Sequence, residues 1–334
     1  MSTIILQNST GNQQIDDILC DVISLCETTF PGQVKAYYLF GSYADGSGRM
    51  TSDIDFCLVP RDRFVAEAYK KVQHIRDTCA LSYPIMVDMI VLDEPLLLKE
   101  GHFRIKSASS FLWGEDLRAN MPEQTFDYYV RKYTNAPLSY MLQVLRHIDT
   151  ATFPLSYPDP TAEFYGYDQP YFPPRNGARR NIKGLVSSVC WAASILIAWQ
   201  AGKTVEAKSA SVKMYRDLIH DAWTPFLEEM YEYGSKKWAY LVPNGEEDRL
   251  RLRHLCARTL AFENHYLGLY RDYLLQQLQT SDCNATLVAA KQLQIIAYPD
   301  QKIVDALHSI HYEHDSEMRQ AVTQALHAIA DSCA

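Results

Sequence analysis

The first 120 residues alternate between helical and strand-like hydrophobic patterns. Residues 12–29 and 64–79 repeat apolar side chains every three or four positions, which predicts two amphipathic helices. A third helix is expected to begin at Asp93 and to continue into 105–110. Short apolar runs bounded by glycine, proline or charged residues predict strands at 37–40, 56–59, 84–92 and 111–114. This alternation predicts a compact α/β domain with a mixed sheet and flanking helices.

Helical periodicity dominates from residue 122 onward. The pattern predicts helices at 126–133, 138–148, 182–201, 208–215, 222–241 and 246–278. The segment 182–201 is apolar on nearly all sides, so we expect a buried central helix that ends at Gly202, and not a membrane span. Residues 153–176 combine aromatic side chains with prolines, which predicts an ordered loop packed on the helices.

The composition is typical of an ordinary soluble protein, and it argues against nucleic acid and membranes as partners. The net charge is −8, which argues against a protein that coats nucleic acid. Residues 1–17 lack the basic and apolar regions of a signal peptide, and no apolar run reaches the roughly 18 residues of a membrane span. The eight cysteines include no CxxC pair, which favours buried thiols in a reducing cytosol. These features predict a cytoplasmic protein without membrane contact.

The candidate chemistry lies between residues 37 and 59. Asp53 and Asp55 are two positions apart, so a strand places both carboxylates on one face while Ile54 points into the core. Magnesium uses such carboxylates to bridge a protein to substrate phosphates. Gly41-Ser42 opens a polar loop and offers close backbone approach, N–H groups and a hydroxyl to a phosphate. The pattern therefore indicates a site for a divalent metal and a phosphate.

These residues resemble a known family signature. Gly41-Ser42, a nine-residue gap and Ser52-Asp53-Ile54-Asp55 together resemble the nucleotidyltransferase superfamily (DNA polymerase β-like). That family carries a third carboxylate on a later strand, and Asp88 is the lone charge inside the apolar run 84–92. An ordinary hairpin with surface aspartates would explain the first two motifs but not Asp88. Asp88 is expected to be buried, at a cost that a shared metal would offset.

The resemblance implies which residues act. Two Mg²⁺ ions would be held by Asp53, Asp55 and Asp88. Asp88 would also be the candidate general base for an acceptor hydroxyl. The β- and γ-phosphates of a nucleoside triphosphate would lie on Gly41, Ser42 and, as a weaker candidate, Ser52.

The helical region carries Gly202-Lys203, Lys208, Ala239-Tyr240-Leu241 and the segment Glu246-Glu247-Asp248-Arg249-Leu250. In these segments it resembles the C-terminal domain of the streptomycin/spectinomycin (aminoglycoside) adenylyltransferases. The resemblance implies ATP as the donor, with Lys208 at the nucleotide phosphates and Tyr240 along the nucleotide site.

The sequence departs from those enzymes at two places. They carry glutamate where this chain has Asp88, and they place an arginine on the central helix where this chain has the neutral stretch 193–196. Arg179 or Lys183, from the basic cluster at 175–183, would then supply the triphosphate contact. The cluster is otherwise a solvated helix start.

The predicted fold class is α+β, with three parts. Residues 1–120 would form the nucleotidyltransferase domain, and residues 121–280 an all-α bundle that binds nucleotide and acceptor. Residues 281–334 would form a short helical tail, in which 300–330 resemble a HEAT repeat. One such unit buries little surface alone, so we expect it to dock on the bundle or to contact another protein.

The predicted function is Mg²⁺-dependent transfer of a nucleoside monophosphate, AMP from ATP, to a hydroxyl of a small-molecule acceptor. Pyrophosphate would be released. An aminoglycoside acceptor would imply antibiotic resistance, and the loop 153–176 would be either a structural strap or a wall of the acceptor pocket. Acids that would receive such a cation are Glu163, Asp168, Glu228, Glu229 and Glu232.

Three alternatives stay open at this point. The protein would modify another protein, as a nucleotidyltransferase of toxin–antitoxin type does, or it would add nucleotides to RNA. An RNA-tailing enzyme needs a basic groove, which the acidic net charge disfavours. The third alternative is a non-enzymatic protein that binds a nucleotide or a partner through the tail, against which the presence of all three carboxylates argues.

Overall fold

Helices and strands alternate in the N-terminal part of the chain, as the hydrophobic pattern predicts. The structure, a computed structural model, describes residues 4–49, 51–170, 180–311 and 315–332. The N-terminal elements are α1 (Gln13–Thr29), β1 (Val34–Phe40), α2 (Gly41–Ala44), β2 (Ile54–Pro60), α3 (Ala66–Ser82), β3 (Val87–Val91), α4 (Glu94–Glu100), α5 (Phe103–Ala108) and β4 (Ser110–Gly114).

The four strands form one mixed sheet in the order β3-β2-β1-β4. β1 pairs antiparallel with both β2 and β4, whereas β2 and β3 are parallel. The parallel pair brings the beginnings of β2 and β3 to the same end of the sheet. In this register Asp55 lies opposite Asp88. β3 is an edge strand, with β2 as its only neighbour in the sheet among the described residues.

Helices cover both faces of the sheet. α1 and α3 pack on one face, where Val22 and Ile75 join a buried cluster with Ile54. α4 and α5 cover the other face, where Leu97 and Ile105 join a second buried cluster with the strands. Because successive strand residues point to opposite faces, burial on both sides requires the continuous apolar runs seen in β1 and β2.

One expected helix is two helices in the structure. The sequence pattern predicts a helix from Asp93 into 105–110, but α4 ends at Glu100 and α5 begins at Phe103. Gly101 between them has φ +71°, and a Cβ at this position would collide with the Pro122 carbonyl oxygen. The chain therefore turns at this glycine, and α5 lies separately beside the sheet.

The remaining elements are almost entirely helical. They are a 3₁₀ turn (Arg118–Asn120), α6 (Phe126–Tyr133), α7 (Ala136–Ser139), β5 (Ala151–Thr152), β6 (Gln169–Pro170), β7 (Arg180–Asn181), α8 (Lys183–Ala201), α9 (Lys208–Leu218), α10 (Thr224–Glu229), α11 (Glu246–Leu278), α12 (Cys283–Ile295), β8 (Ile296–Ala297), α13 (Gln301–His308) and α14 (Ser316–Ser332). The α+β class is thus confirmed, with a small mixed sheet followed by a helical region.

Two of the predicted helices continue as π-helical segments. α7 passes into a π-helical turn at Tyr140–Val144, and α10 passes into a longer one at Met230–Lys237. A π-helix bonds residue i to residue i+5, so it turns the following side chains away from their α-helical directions. A pattern with a period of 3.6 residues does not reveal such a change.

α8 is the central helix of the helical region. Its length and hydropathy would suit a membrane span, but 78% of its most apolar window is buried inside the protein. Gly202 ends it in the left-handed conformation, with φ +64°. α8 is therefore a core helix, and the predicted glycine stop is present.

The aromatic segment after α7 packs against α11 where it is described. The Tyr167 hydroxyl donates to the buried carboxylate of Glu263 at 2.8 Å. Leu155 exchanges two hydrogen bonds with the Asn264 amide, at 2.7 and 3.0 Å. These contacts hold an ordered strap over residues 153–170, and residues 171–176 of the predicted loop lie outside the described residues.

The C-terminal helices share the core of the helical region. Leu293 of α12, Ile303 of α13 and Val322 of α14 belong to the same buried cluster as Leu196 of α8. α12 packs on both α11 and α14. The segment with HEAT-like sequence is thus docked on the bundle, one of the two arrangements expected for it. Its residues 312–314 lie outside the described part of the chain.

Candidate active site

Three carboxylates lie at one end of the parallel strand pair. Asp53 directly precedes β2 and Asp55 is its second residue, while Ile54 between them is fully buried in the core on the opposite face. Register places Asp88 of β3 beside Asp55. The two-residue spacing and the later strand therefore bring together the three aspartates that the sequence singled out.

Asp88 is exposed, which corrects the expectation that it is buried. The apolar run around it suggested a strand enclosed on both faces. β3 is instead an edge strand, and the Asp88 side chain reaches solvent beside Asp55. No burial cost therefore has to be offset at Asp88, and the case for its role rests on its register with Asp55.

Asp55 is the carboxylate with the most perturbed surroundings. The pKa of Asp55 is raised to about 6, mainly by burial and then by the charges of Asp53 and Asp88. Arg104 and Lys183 act in the opposite direction and lower this pKa. The three carboxylates are thus close enough to repel one another, and basic side chains already offset part of that repulsion.

Gly41 permits the close approach between the end of β1 and Asp55. It has φ +66°, and a Cβ there would lie 3.1 Å from Asp55 Cγ and nearer still to Oδ2. Gly41 and Ser42 open the single helical turn α2 in place of the loop expected from the sequence. Glycine is therefore required here by both backbone conformation and space.

The hydroxyl of Ser52 closes the loop that precedes β2. Ser52 is buried, and its Oγ accepts a hydrogen bond from the Arg49 N–H at 3.0 Å. The structure thus gives this side chain a contact within its own loop. Its predicted contact with a phosphate stays a prediction.

Lys208 and Tyr240 approach the carboxylates from the helical region. The Lys208 ammonium donates to Ser187 Oγ at 2.9 Å and lies 5.6 Å from the centre of the Tyr240 ring. Burial lowers the pKa of Lys208, and the positive charge of Lys183 lowers it further. The charges of Asp53 and Asp55 also act on this lysine. Lys208 and Tyr240, which the resemblance predicts to contact the nucleotide, thus lie side by side and face the aspartates.

Tyr240 lies in a turn with unusual backbone geometry. Ala239 and Tyr240 both have left-handed conformations, with φ +47° and +63°, which cost about 1–3 kcal/mol each in residues other than glycine. The Tyr240 N–H donates to Gly234 O and its carbonyl accepts from the Ile182 N–H, both at 2.7 Å. These bonds fix the backbone of Tyr240 beside the beginning of α8.

Thr51 links this turn to the N-terminal domain. Its Oγ1 donates to the Ala239 carbonyl oxygen at 2.6 Å. Nothing in the sequence pattern signals this bond, because its partners are separated by 188 positions. It holds the Asp53 loop and the Tyr240 turn together across the cleft.

We expect Thr51→Val to lower the free energy of unfolding by about 1 kcal/mol, the typical net value of one hydrogen bond. Thr51→Ser keeps the hydroxyl and should retain most of the stability. Urea denaturation of the three proteins measures the difference. Equal midpoints for the valine variant and the wild type would show that the bond does not hold the cleft together.

Lys183, the first residue of α8, reaches the carboxylates directly. Its ammonium lies 2.5 Å from Asp53 Oδ1. The sequence named Lys183 only as an alternative source of a triphosphate contact, and the structure brings it into the site. Of the other members of the basic cluster, Arg180 pairs with Asp168, while Arg175 and Arg179 lie outside the described residues.

Two further residues at the site were missed in the sequence. Burial raises the pKa of the Tyr140 phenol, and Asp53 and Asp55 raise it further. Tyr140 begins a π-helical turn, which a 3.6-residue period does not predict. Arg104 lies on α5 with its guanidinium 5.2 Å from the Phe40 ring, and it reaches the site because the chain breaks at Gly101.

A cavity of about 240 Å³ lies between the sheet and the helical region. Its walls are formed by Thr51, Ser52, Asp53, Met86, Tyr140, Gln169, Pro170, Asn181, Lys183, Gly184 and Tyr240. Larger cavities, of up to about 650 Å³, lie in the helical region and are lined by none of the three aspartates. Gln169 and Pro170 belong to the aromatic segment, so the described part of that segment forms one wall beside Asp53.

The donor set fits Mg²⁺ shared with a phosphate ligand. Within the described ranges no three acidic, histidine or cysteine side chains converge as a ready-made metal centre. Magnesium, however, is held in many phosphate-transfer sites by one or two carboxylates plus phosphate oxygens and water. The mutual repulsion of Asp53, Asp55 and Asp88 at one strand end suits that arrangement.

Comparison with known families identifies the N-terminal domain. Residues 22–100 match the model of the family described as "Polymerase beta, Nucleotidyltransferase", and this range contains all three aspartates and Gly41-Ser42. The N-terminal domain is a nucleotidyltransferase domain of the polymerase β type. A domain of this family is catalytic, so the prediction of an enzyme from the motif is confirmed.

Several solved structures resemble the chain. A crystal structure of spectinomycin adenyltransferase AAD(9) from Enterococcus faecialis with ATP and spectinomycin aligns at 10% identity and a TM-score of 0.46, covering 75% of this chain and 98% of that one. A toxin–antitoxin structure with AMP-PNP aligns at 19% identity and a TM-score of 0.22, covering 40% and 92%. A mutant of the toxin–antitoxin MntA-HpeT aligns at 18% identity and a TM-score of 0.21, covering 38% and 90%. No curated protein matches the sequence.

Proposed function

We propose that the protein transfers AMP from ATP to a hydroxyl of a small-molecule acceptor, in a Mg²⁺-dependent reaction that releases pyrophosphate. One observation carries the proposal: Asp53, Asp55 and Asp88 of the nucleotidyltransferase domain face Lys183 and Lys208 of the helical region. Carboxylates beside paired ammonium groups match the needs of a metal-bound triphosphate. ATP as the donor follows from the sequence resemblance of the helical region to adenylyltransferases.

Asp53 and Asp55 would hold Mg²⁺, with Asp88 beside them as a further ligand. When bound, the ions neutralise charge on the triphosphate and lower the pKa of an acceptor hydroxyl. Phosphate oxygens would lie on Gly41, Ser42 and Ser52 from one side. Lys208 and Tyr240 would meet the nucleotide from the other side, since both are held at the cleft by hydrogen bonds.

In this proposal Asp88 receives the proton of the acceptor hydroxyl. It is exposed at the open edge of the sheet, next to Asp55 but outside the loop that would hold the phosphates. The acceptor oxygen would attack the α-phosphorus, and the bond to the β-phosphate bridging oxygen would break. Asp88 would take the proton, and pyrophosphate would leave with the electron pair.

The acceptor class that the resemblance implies is an aminoglycoside. All five acids considered for binding such a cation already form ion pairs in the structure. Glu163 pairs with Arg249, Asp168 with Arg180, Glu228 with Arg216, Glu229 with Arg251 and Arg258, and Glu232 with Lys236. A polycationic acceptor would therefore have to displace cations at these positions. We accordingly define the acceptor by its hydroxyl and small size.

A pyrophosphate-release assay tests the proposal. The protein is incubated with each α-labelled nucleoside triphosphate, Mg²⁺ and a panel of aminoglycosides, uncharged sugars and alcohols, and the label is followed. We expect release with ATP and transfer of the label to one acceptor class, and none in an Asp53→Asn/Asp55→Asn control. Label on protein instead of a small molecule would favour the toxin–antitoxin type, and no label on any acceptor would contradict the proposal.

Lys208→Ala should weaken ATP binding by about 1.5–3 kcal/mol, the range for a hydrogen bond to a charged group. The reason is that Lys208 is half-buried beside Tyr240 and interacts electrostatically with Asp53 and Asp55. Calorimetry with ATP and Mg²⁺ measures the loss. Lys203→Ala, at an exposed lysine that precedes α9, is the matched control and should bind ATP as the wild type does. Unchanged affinity in the Lys208 variant would place the phosphate contact elsewhere.

A further inference from the structure

Lys183 forms an ion pair that joins the two parts of the active site. Its ammonium lies 2.5 Å from Asp53 Oδ1, and the two side chains are 27% and 21% exposed. The backbone of Lys183 is fixed, because its N–H donates to Asn181 Oδ1 at 3.0 Å. The lysine side chain thus extends from a fixed helix start to a carboxylate of the opposite domain.

The charges around this pair are balanced within the protein. Asp53, Asp55 and Asp88 are the acidic groups that act on one another here. Lys183 and Arg104 both lower the pKa of Asp55, and Lys208 lies near enough to Lys183 for its own pKa to be lowered. Three positive groups therefore face three negative ones before any ion or nucleotide binds.

We expect this balance to oppose the binding of a lone divalent cation. A metal on Asp53 would displace the Lys183 ammonium and leave it beside a new positive charge. A triphosphate changes this, because its oxygens offer the displaced ammonium another anionic partner. A lysine suits such an exchange, since its ammonium is a compact charge on a flexible stem that can turn between two partners.

We propose that Lys183 is a tethered cation that couples metal binding to nucleotide binding. The proposal rests on the function proposed above and assigns Lys183 two successive partners. Without nucleotide its ammonium pairs with Asp53 and opposes the metal. With nucleotide it pairs with a phosphate oxygen and leaves Asp53 to the metal. Such coupling is reciprocal, so the metal must strengthen nucleotide binding by the same factor.

Calorimetry on the full chain tests this without measuring turnover. Mg²⁺ is titrated alone, and then in the presence of the non-hydrolysable analogue α,β-methylene-ATP, into the wild type and Lys183→Met. We expect the methionine variant to bind Mg²⁺ alone about tenfold more tightly and the analogue with Mg²⁺ about tenfold more weakly, as for loss of one charge-assisted hydrogen bond. The affinity for Mg²⁺ alone thus rises while the affinity for the analogue falls. Loss of an ordinary phosphate ligand would only weaken binding of the analogue.

Lys183→Arg is the matched control, because it keeps the charge and should keep Mg²⁺ binding weak in the absence of nucleotide. Lys183→Gln repeats the measurement with a polar neutral side chain, and thermal melting checks that each variant is folded. Unchanged affinity for Mg²⁺ alone in both neutral variants would overturn the coupling role, while Mg²⁺-dependent binding of the analogue to the wild type would leave the proposed function intact. A wild type that binds no Mg²⁺ even with the analogue would overturn both.

Discussion

Asp53→Asn and Asp55→Asn should each reduce Mg²⁺-dependent nucleotidyl transfer by at least about a thousandfold. Replacing even an outer partner of a metal ligand costs about 10–100-fold, so loss of a ligand itself should cost more. The two carboxylates share one face at the beginning of β2 and have no substitute on that strand. The amide of asparagine keeps the shape and removes the charge that the metal needs.

The fold should survive both replacements. Burial raises the pKa of Asp55 to about 6, so above that pH the ionised carboxylate is disfavoured in the folded state relative to the unfolded chain. A neutral asparagine removes this penalty, and Asp55→Asn should therefore melt at the same temperature as the wild type or higher. Loss of activity with an unchanged or raised Tm would separate the chemical role of Asp55 from a structural one.

Asp62→Asn provides a matched control for these variants. Asp62 is exposed and follows the far end of β2, away from the site. It should retain full activity. Turnover within about tenfold of the wild type in both Asp53→Asn and Asp55→Asn would remove these residues from the metal site.

Asp88→Asn should lower transfer to the acceptor by at least about a hundredfold, the low end for loss of general-base catalysis. ATP should still bind, because Asp53, Asp55 and the Gly41-Ser42 turn remain. The exposure of Asp88 supports a role in transfer and not in ATP binding, since an acceptor can reach a side chain at the open sheet edge. Single-turnover kinetics with saturating ATP measures the transfer step, and calorimetry measures ATP affinity.

Asp88→Glu is the informative companion variant. The adenylyltransferases that the helical region resembles carry glutamate here, so partial activity is expected. Its longer side chain keeps the carboxylate and moves it by one methylene. If Asp88→Asn instead loses ATP affinity but keeps turnover at saturating ATP, then Asp88 belongs to the donor site and the base role is wrong.

The sequence predicts those features of the site that are local along the chain. The two-residue spacing of Asp53 and Asp55 is enough to place them on one strand face. The apolar run around Asp88 is enough to place it on a strand. The sequence does not reveal that this strand lies at the sheet edge, because an apolar run is common to edge and central strands. The burial expected for Asp88 was wrong for that reason.

Residues that join the site through tertiary contacts leave a weaker signal. Thr51 and Lys183 act across the cleft, on partners more than a hundred positions away. Tyr140 reaches the site through a π-helical turn. Arg104 reaches it because a single glycine, Gly101, separates two helices. Lys208 and Tyr240 were found only through the resemblance, since one lysine and one tyrosine in a helical region carry no pattern of their own.

The division of the site between two structural units has an evolutionary consequence. The sheet contributes the three acids, and the helical region contributes Lys183, Lys208 and the Tyr240 ring, which we propose bind the nucleotide. Neither unit alone carries the complete set of charges. Recombination that exchanged the helical unit would therefore change which substrates bind, while the acids of the sheet stayed the same. Related proteins would then differ in substrate and share one reaction.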